Sequence, residues 1–168
     1  LPKRLGCLLR DVSRSFYLTL RVLPPSVRPP ISLAYLLARA ADTIADGEML
    51  PRANRLDQLL LIRKQFTQAI EFSEVEGITQ FCNRHSAQET NAECRLLARA
   101  PECFRLFQSL DADDRGRVAD VVVSLTRAME IDLQRFNVQS SSVDALSTFE
   151  ELEDYTYHAA GCVGPFWT

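Results

Sequence analysis

The stretch 35-YLLARAADTIADGE-48 decides how this chain is read. It is rich in Ala and Leu, which favour helix, yet it holds two aspartates four residues apart, and Asp is a poor helix former. At ~100° per residue, Tyr35, Arg39, Asp42 and Asp46 fall within an arc of about 60°. Leu33, Leu37, Ala40 and Ile44 take the opposite side. One face is therefore expected to pack, and the other is a narrow strip of Tyr, Arg, Asp and Asp. Like charges at i and i+4 destabilise an exposed helix by about 0.2–0.5 kcal/mol. A divalent cation reverses the sign of that interaction. Mg²⁺ takes one or two carboxylates and completes its shell with phosphate oxygens and water. The pair Asp42 and Asp46 thus fits a Mg²⁺–diphosphate site. It equally fits a solvated polar face carrying an Arg39–Asp42 pair at i, i+3.

Outward from this helix, helical periodicity dominates. A first helix is expected over 5–23, ended by the four prolines of 24-PPSVRPP-30. The aspartate helix covers 31–46 and stops at Gly47, a favourable C-cap residue. Pro51 is placed to start a third helix through 56-LDQLLLIRKQFTQAI-70. The stretch 73–88 reads as a long loop or a short helix. A fourth helix fits 90–110 with an interruption near Pro101, and a fifth fits 114–136. Within the fifth, 121-VVV-123 alone could be strand, but Val118, Val122, Leu125 and Met129 keep helical spacing. A polar connector over 137–147 leads to a sixth helix. It begins at Ser147 or Thr148, with Glu150 or Glu151 completing a capping box. The fold class is all-α, a helical bundle in one domain over residues 1–168.

Composition narrows the function. The chain has 168 residues, 46% hydrophobic and 24% charged, as in a globular domain. A net charge of −3 gives no general attraction to nucleic acid. No run is apolar for the ~18 residues a transmembrane helix needs, and 1–10 mixes charge with Leu too evenly for a signal peptide. Five cysteines with no CxxC pair suggest buried thiols in a reducing compartment. Asp111, Asp113 and Asp114 read as charges complementing a helix N-terminus. His85 reads as a loop residue, His158 as a packed one, and Phe166 with Trp167 as core or helix–helix contact.

Two further stretches complete a pattern. Upstream lies 11-DVSRSFYLTLRVLPP-25, in which hydroxyls and an arginine can bind phosphate oxygens. Near the C-terminal end lies 154-DYTYHAAGCVG-164. The order S-R-S-F (13–16), Y-L-L-A-R-A-A-D-T-I-A-D (35–46) and 154–164 resembles the squalene/phytoene synthase family of head-to-head prenyl transferases. The resemblance runs from about residue 8 to the end, and 29-PPISLAYLLARAADTIAD-46 looks most like the bacterial squalene synthase branch.

The resemblance implies an all-α isoprenoid-synthase bundle around a central cavity, of which this chain would be the N-terminal part. Asp42 and Asp46 would hold Mg²⁺, or Mn²⁺, bridging to a substrate diphosphate. Ser13, Arg14, Ser15 and Arg39 would bind diphosphate. Tyr35, Arg39 and Tyr155 would be the catalytic side chains. Gly161 and Gly164 would line the cavity, letting prenyl chains lie close to the backbone. Met129 and Asp132 match a further family stretch of less defined role. The implied reaction joins two farnesyl diphosphates through presqualene diphosphate to squalene, the last step taking hydride from NADPH. A phytoene, dehydrosqualene or presqualene diphosphate synthase would use the same residues, and a non-catalytic scaffold is the contrasting reading. No G-x-G-x-x-G marks an NADPH site. Lipid substrate and product imply work in the cytoplasm at a membrane surface.

Two departures stand out. The family's second Asp-rich motif, N-x-x-x-D-x-x-x-D, does not follow Gly164, so this chain alone is expected not to turn over. Helices at 31–46 and 148–168 are then expected to lose partners and expose apolar side chains. Where relatives read Y-C-H/Y-Y-V-A-G, this chain has 155-YTYHAAG-161 followed by Pro165, which is expected to kink the last helix.

Overall fold

A computed structural model describes residues 1–13, 15–47, 52–67, 92–136 and 145–167. All its regular elements are helices: α1 (Lys3–Ser13), α2 (Phe16–Val22), α3 (Arg28–Asp46), α4 (Arg52–Thr67), α5 (Ala92–Ala98), α6 (Ala100–Gln108), α7 (Ala112–Arg135), α8 (Phe149–Thr156), a π segment (Tyr157–Gly161) and α9 (Val163–Trp167). The expectations on 73–88, on His85 and on most of the 137–147 connector lie outside the described residues.

The bundle is built around α3, which touches α1, α2, α4, α5, α6 and α7. Pro29 and Pro30 sit in its first turn, where a missing N–H costs no intrahelical bond. The expected packing face is buried, with Leu33, Leu37, Ala40 and Ile44 at most 3% exposed. Burial extends further, to Ser32, Leu36, Ala41, Thr43 and Ala45, so α3 is covered on most of its circumference. Thr43 satisfies its hydroxyl on the Arg39 carbonyl at 2.9 Å. The expectation that 31–46 would expose apolar residues is therefore corrected; α1, α5, α6 and α7 cover it. The same expectation for 148–168 holds, since Phe149, Leu152 and Tyr157 are exposed, as are Leu18 and Val22 of α2. Gly47 does cap α3, its N–H reaching the Thr43 carbonyl at 3.0 Å, but at φ −63° and ψ 130° it leaves in an extended conformation rather than a left-handed turn.

Helix α7 is the second long element and contacts α3, α4, α6, α8, α9 and the π segment. Asp111 caps it by accepting from the Asp114 N–H at 2.9 Å, as the acidic start suggested. The 121–123 valines are helical, and Val118 and Val122 are fully buried. Arg63 of α4 ties onto α7 through the Thr126 carbonyl at 2.8 Å and Glu130 at 2.6 Å. The interruption near Pro101 falls at Arg99, with Pro101 in the first turn of α6.

Three expectations need correction. The first helix is two: α1 ends at Ser13 and α2 begins at Phe16. Serine hydroxyls compete with backbone partners, and Ser13 bonds back to the Leu9 carbonyl, a habit that bends or ends helices. The sixth helix also divides. Thr148 caps α8 by accepting from the Glu151 N–H at 3.2 Å, while Glu151 accepts from the Ser147 N–H at 2.7 Å. The helix then widens, the Cys162 N–H reaching five residues back to the Tyr157 carbonyl at 2.8 Å. Third, Cys7 is exposed, whereas Cys94, Cys103 and Cys162 are buried. Among the described residues, no helix is long and apolar enough to cross a membrane.

Candidate active site

A cavity of about 390 Å³ lies between α2, α3, α7 and the segment 157–167. Its walls are mainly apolar: Phe16, Ile31, Ala34, Val121, Leu125, Met129 and Trp167 among them. Tyr35, Arg39 and Asp42 line it as well and supply its polar groups. Three successive turns of α3 thus place a phenol, a guanidinium and a carboxylate along one wall. The aromatic end is organised around Phe16, stacked on Tyr35 at 5.2 Å between ring centroids and meeting Trp167 edge-on at 6.1 Å. The Tyr35 hydroxyl lies 3.5 Å from the Val12 carbonyl, a long hydrogen bond.

At the polar end Arg39 is held from two sides. One terminal nitrogen pairs with Asp42, and the other donates to Glu93 of α5 at 2.6 Å. Its Nε is buried and has no hydrogen-bond partner among the described residues. A buried donor without an acceptor costs about 1–3 kcal/mol, so this position favours an arriving anion. Burial pushes the Asp42 carboxyl above its ordinary value; Arg39 pulls it down, while Asp46 and Glu93 push it further up. Asp46, on the last residue of α3, is exposed. Both carboxylates sit at the negative end of the helix dipole, which adds to the attraction for a cation.

The electrostatics reach one helix further. Asp132 of α7 is raised by burial and by the charge of Asp46, against the lowering effect of its hydrogen bond from Tyr155. That bond runs from the Tyr155 hydroxyl to Asp132 Oδ1 at 2.9 Å. Burial and the Asp132 carboxylate together raise the Tyr155 phenol. Asp46 therefore acts on both Asp42 and Asp132, although the described residues contain no group of three or more ligating side chains close enough to enclose a metal ion. Two carboxylates plus diphosphate oxygens and waters suffice for Mg²⁺, so the donor set fits a cation shared with a substrate, not one bound by protein alone.

The other expected residues are placed as follows. Ser13 is buried with its hydroxyl on the Leu9 carbonyl, and Ser15 is exposed at the break between α1 and α2. Arg14 lies outside the described residues. Tyr155 does not line the cavity; it is engaged with Asp132 and packs edge-on to Phe136. Gly161 and Gly164 are exposed, and neither is a lining residue; a Cβ at Gly164 would meet nothing within 4 Å. Their neighbours Ala159 and Val163 face the cavity instead, because the π segment shifts the register of side chains by part of a turn. His158 is packed, with Nδ1 2.7 Å from the Ser124 hydroxyl. Sequence reasoning missed Glu93 and the lining role of Trp167. Glu93 had no periodic signal, while Trp167 could have been suspected from a large aromatic beside Pro165.

A profile of the squalene/phytoene synthase family matches residues 9–168, and the chain belongs to that family. It is similar to a squalene synthase of Schizosaccharomyces pombe, 29% identical over 94% of this chain and 31% of that protein. Squalene synthase LSS of Botryococcus braunii is 27% identical over 94% of this chain and 29% of its own length. A phytoene synthase of Mycobacterium tuberculosis is 40% identical, over 33% of this chain and 18% of that protein. Among solved structures, a complex of TcSQS with the ligand BPH1237 superposes with a TM-score of 0.71 at 21% identity, covering 99% of this chain and 42% of that one. The fold is thus the squalene synthase fold over part of its length. The chain spans about a third of the curated squalene synthases it matches. Those two relatives are eukaryotic squalene synthases, so the comparison carries the family and not the bacterial branch.

Proposed function

We propose that this chain is the N-terminal part of a prenyl transferase that joins two farnesyl diphosphates head to head through presqualene diphosphate to squalene. The observation that carries the reading is an apolar cavity of about 390 Å³ with Arg39 and Asp42 in its wall, since a prenyl diphosphate has the same division into apolar chain and anionic head. The buried Nε of Arg39, without a partner among the described residues, would donate to a diphosphate oxygen, and its two carboxylate contacts would keep the guanidinium aimed. Mg²⁺, held by Asp42 and Asp46 together with the substrate, would supply electrostatic stabilisation of the leaving diphosphate. Phe16, Tyr35 and Trp167 would exclude water and offer π faces to the allylic cation. Tyr155 would act beside Asp132 rather than from the cavity wall, Ser13 and Ser15 would border the diphosphate region with Arg14, and NADPH would be required only if the product is squalene. A second clamp of carboxylates from the remainder of the parent protein would complete the site, which would work at the membrane surface from which its lipid product leaves. The 40% identity to a phytoene synthase favours a second reading, in which the same residues make phytoene or dehydrosqualene without hydride. The bacterial squalene synthase branch remains part of this proposal.

Calorimetric titration with farnesyl thiodiphosphate, with and without Mg²⁺, tests the reading against Asp42→Asn/Asp46→Asn, with circular dichroism to show that both chains are helical. Mg²⁺-dependent binding that the double variant loses is the expected result. Binding that ignores both Mg²⁺ and the substitutions would remove the aspartate strip from the function.

A further inference from the structure

Helix α2 is apolar on two opposite sides. Phe16 and Leu20, one turn apart, face the cavity and the core. Leu18 and Val22, also one turn apart, point away and are 65% and 81% exposed. The turn that follows adds Val27, 41% exposed. A helix that is apolar all round is normally covered all round.

The charge around this face is unlike that of the rest of the chain. Residues 1–28 carry six cations (Lys3, Arg4, Arg10, Arg14, Arg21 and Arg28) against one anion, Asp11, in a chain of net charge −3. Asp11 is already paired with Arg95 at 2.9 Å. A hollow of about 340 Å³ opens beside α2, with Gly6 of α1, Tyr17, Arg21, Arg28 and Ser32 among its lining residues. Lys3 and Arg10 share the α1 face of Gly6. Arg21 lies 6.0 Å from the Tyr17 ring centre, and Arg28 is anchored on the Leu23 carbonyl, which fixes the turn bearing Val27. Aliphatic prongs on a short helix and turn, ringed by guanidinium and ammonium groups, match the two requirements of an interfacial membrane contact: apolar insertion and attraction to anionic headgroups.

We propose that the outer face of α2 with the 23–28 turn docks on an anionic membrane, Leu18, Val22 and Val27 entering the acyl boundary while Arg21 and Arg28 hold lipid phosphates beside the hollow. The inner face of the same helix carries Phe16 of the cavity wall, so lipid and cavity lie on opposite sides of one seven-residue helix. The inference gives a face to the membrane contact proposed above. It rests on exposure and charge alone, so its failure leaves the prenyl-transfer reading intact.

The test is co-sedimentation of the 168-residue chain with phosphatidylcholine vesicles, with and without about one part in three of phosphatidylglycerol. Binding is expected only with phosphatidylglycerol and is expected to weaken as salt rises from about 0.1 to 0.5 M. Arg21→Gln/Arg28→Gln should weaken it roughly 25-fold, about fivefold per cation. Leu18→Asn/Val22→Asn should weaken it at least about tenfold. The control is Phe149→Asn/Leu152→Asn, on another exposed apolar face set among Glu150, Glu151, Glu153 and Asp154, and it should bind as the unaltered chain does. Equal binding to neutral vesicles, or equal loss in the control, would overturn the proposal. So would light scattering that shows a dimer abolished by Leu18→Asn/Val22→Asn, since that would make the face an interface between copies.

Discussion

The Tyr155 hydroxyl donates to Asp132 Oδ1 at 2.9 Å, joining α8 to α7 beside the aspartates of α3. Asp132 is raised by burial and by Asp46, and this bond opposes both. A carboxyl whose folded value lies above its unfolded one favours the fold most while protonated. Its contribution is full below the ordinary value of 3.8 and is lost as pH rises through the folded value. Tyr155→Phe removes the group that makes the ionised form tolerable. Denaturant titration should therefore show a loss of about 1 kcal/mol at pH 7 and a smaller one at pH 3, where Asp132 is protonated. An equal loss at both pH values would mean that only packing against Phe136 matters.

Asp46 is exposed, stands at the negative end of α3, and repels both Asp42 and Asp132. Without Mg²⁺ it should cost stability. Asp46→Asn is expected to raise the unfolding free energy by about 0.2–0.5 kcal/mol, the usual cost of a like-charged i, i+4 pair. With Mg²⁺ and farnesyl thiodiphosphate the order should reverse, because only the unaltered chain gains ligand stabilisation. Thermal melts of both chains under the two conditions measure this. A variant stabilised equally under both would separate Asp46 from metal binding.

Glu93 braces Arg39 from α5 at 2.6 Å. The pair is partly solvated, so its own worth is about 0–1 kcal/mol. Glu93→Gln should barely move the melting temperature while weakening thiodiphosphate binding by less than about tenfold, since Asp42 still holds the guanidinium. Arg39→Lys should weaken it more, because a compact ammonium lacks the planar fork that reaches Asp42, Glu93 and a diphosphate together. Calorimetry of the two variants side by side decides. Equal affinities would show that Arg39 acts as a charge only.

What could be read from the sequence follows from the range of each signal. Periodicity and proline placement mark where helices lie, so α3, α4, α7 and the break before α6 were legible. Spacing within one helix also put Tyr35, Arg39 and Asp42 on one wall. It also put Asp46 at the helix end before Gly47, but it could not show that Asp46 stays out of the cavity wall that Asp42 lines. Contacts between helices leave no such trace. Arg39 and Glu93 are 54 residues apart, and Tyr155 and Asp132 are 23 apart, so which helices cross decides whether they meet. Two local breaks were also hidden. The serines that end α1 only weaken a helix and do not forbid one, and the π segment adds its extra residue among Ala159, Ala160 and Gly161, whose small side chains do not resist widening.

The thiols give the last prediction. Burial pushes Cys103 from an ordinary 9.0 up to about 12, with Glu102 adding to the rise and Arg99 opposing it. The thiolate is the nucleophile, so Cys103 should be inert to iodoacetamide at pH 8 in the folded chain. Cys7 is exposed and should be alkylated, while Cys162, which is buried, should join Cys103 only once denaturant is added. Peptide mapping by mass spectrometry resolves each site. The same shift has a consequence for alkaline stability. Between 9 and about 12 the unfolded chain ionises this thiol and the folded chain does not. Stability from this group is thus intact below pH 9 and falls as pH rises through that window. Cys103→Ala should flatten that part of the alkaline unfolding profile, while losing some packing at neutral pH. A profile that stays as steep in Cys103→Ala would assign the alkaline loss to other groups.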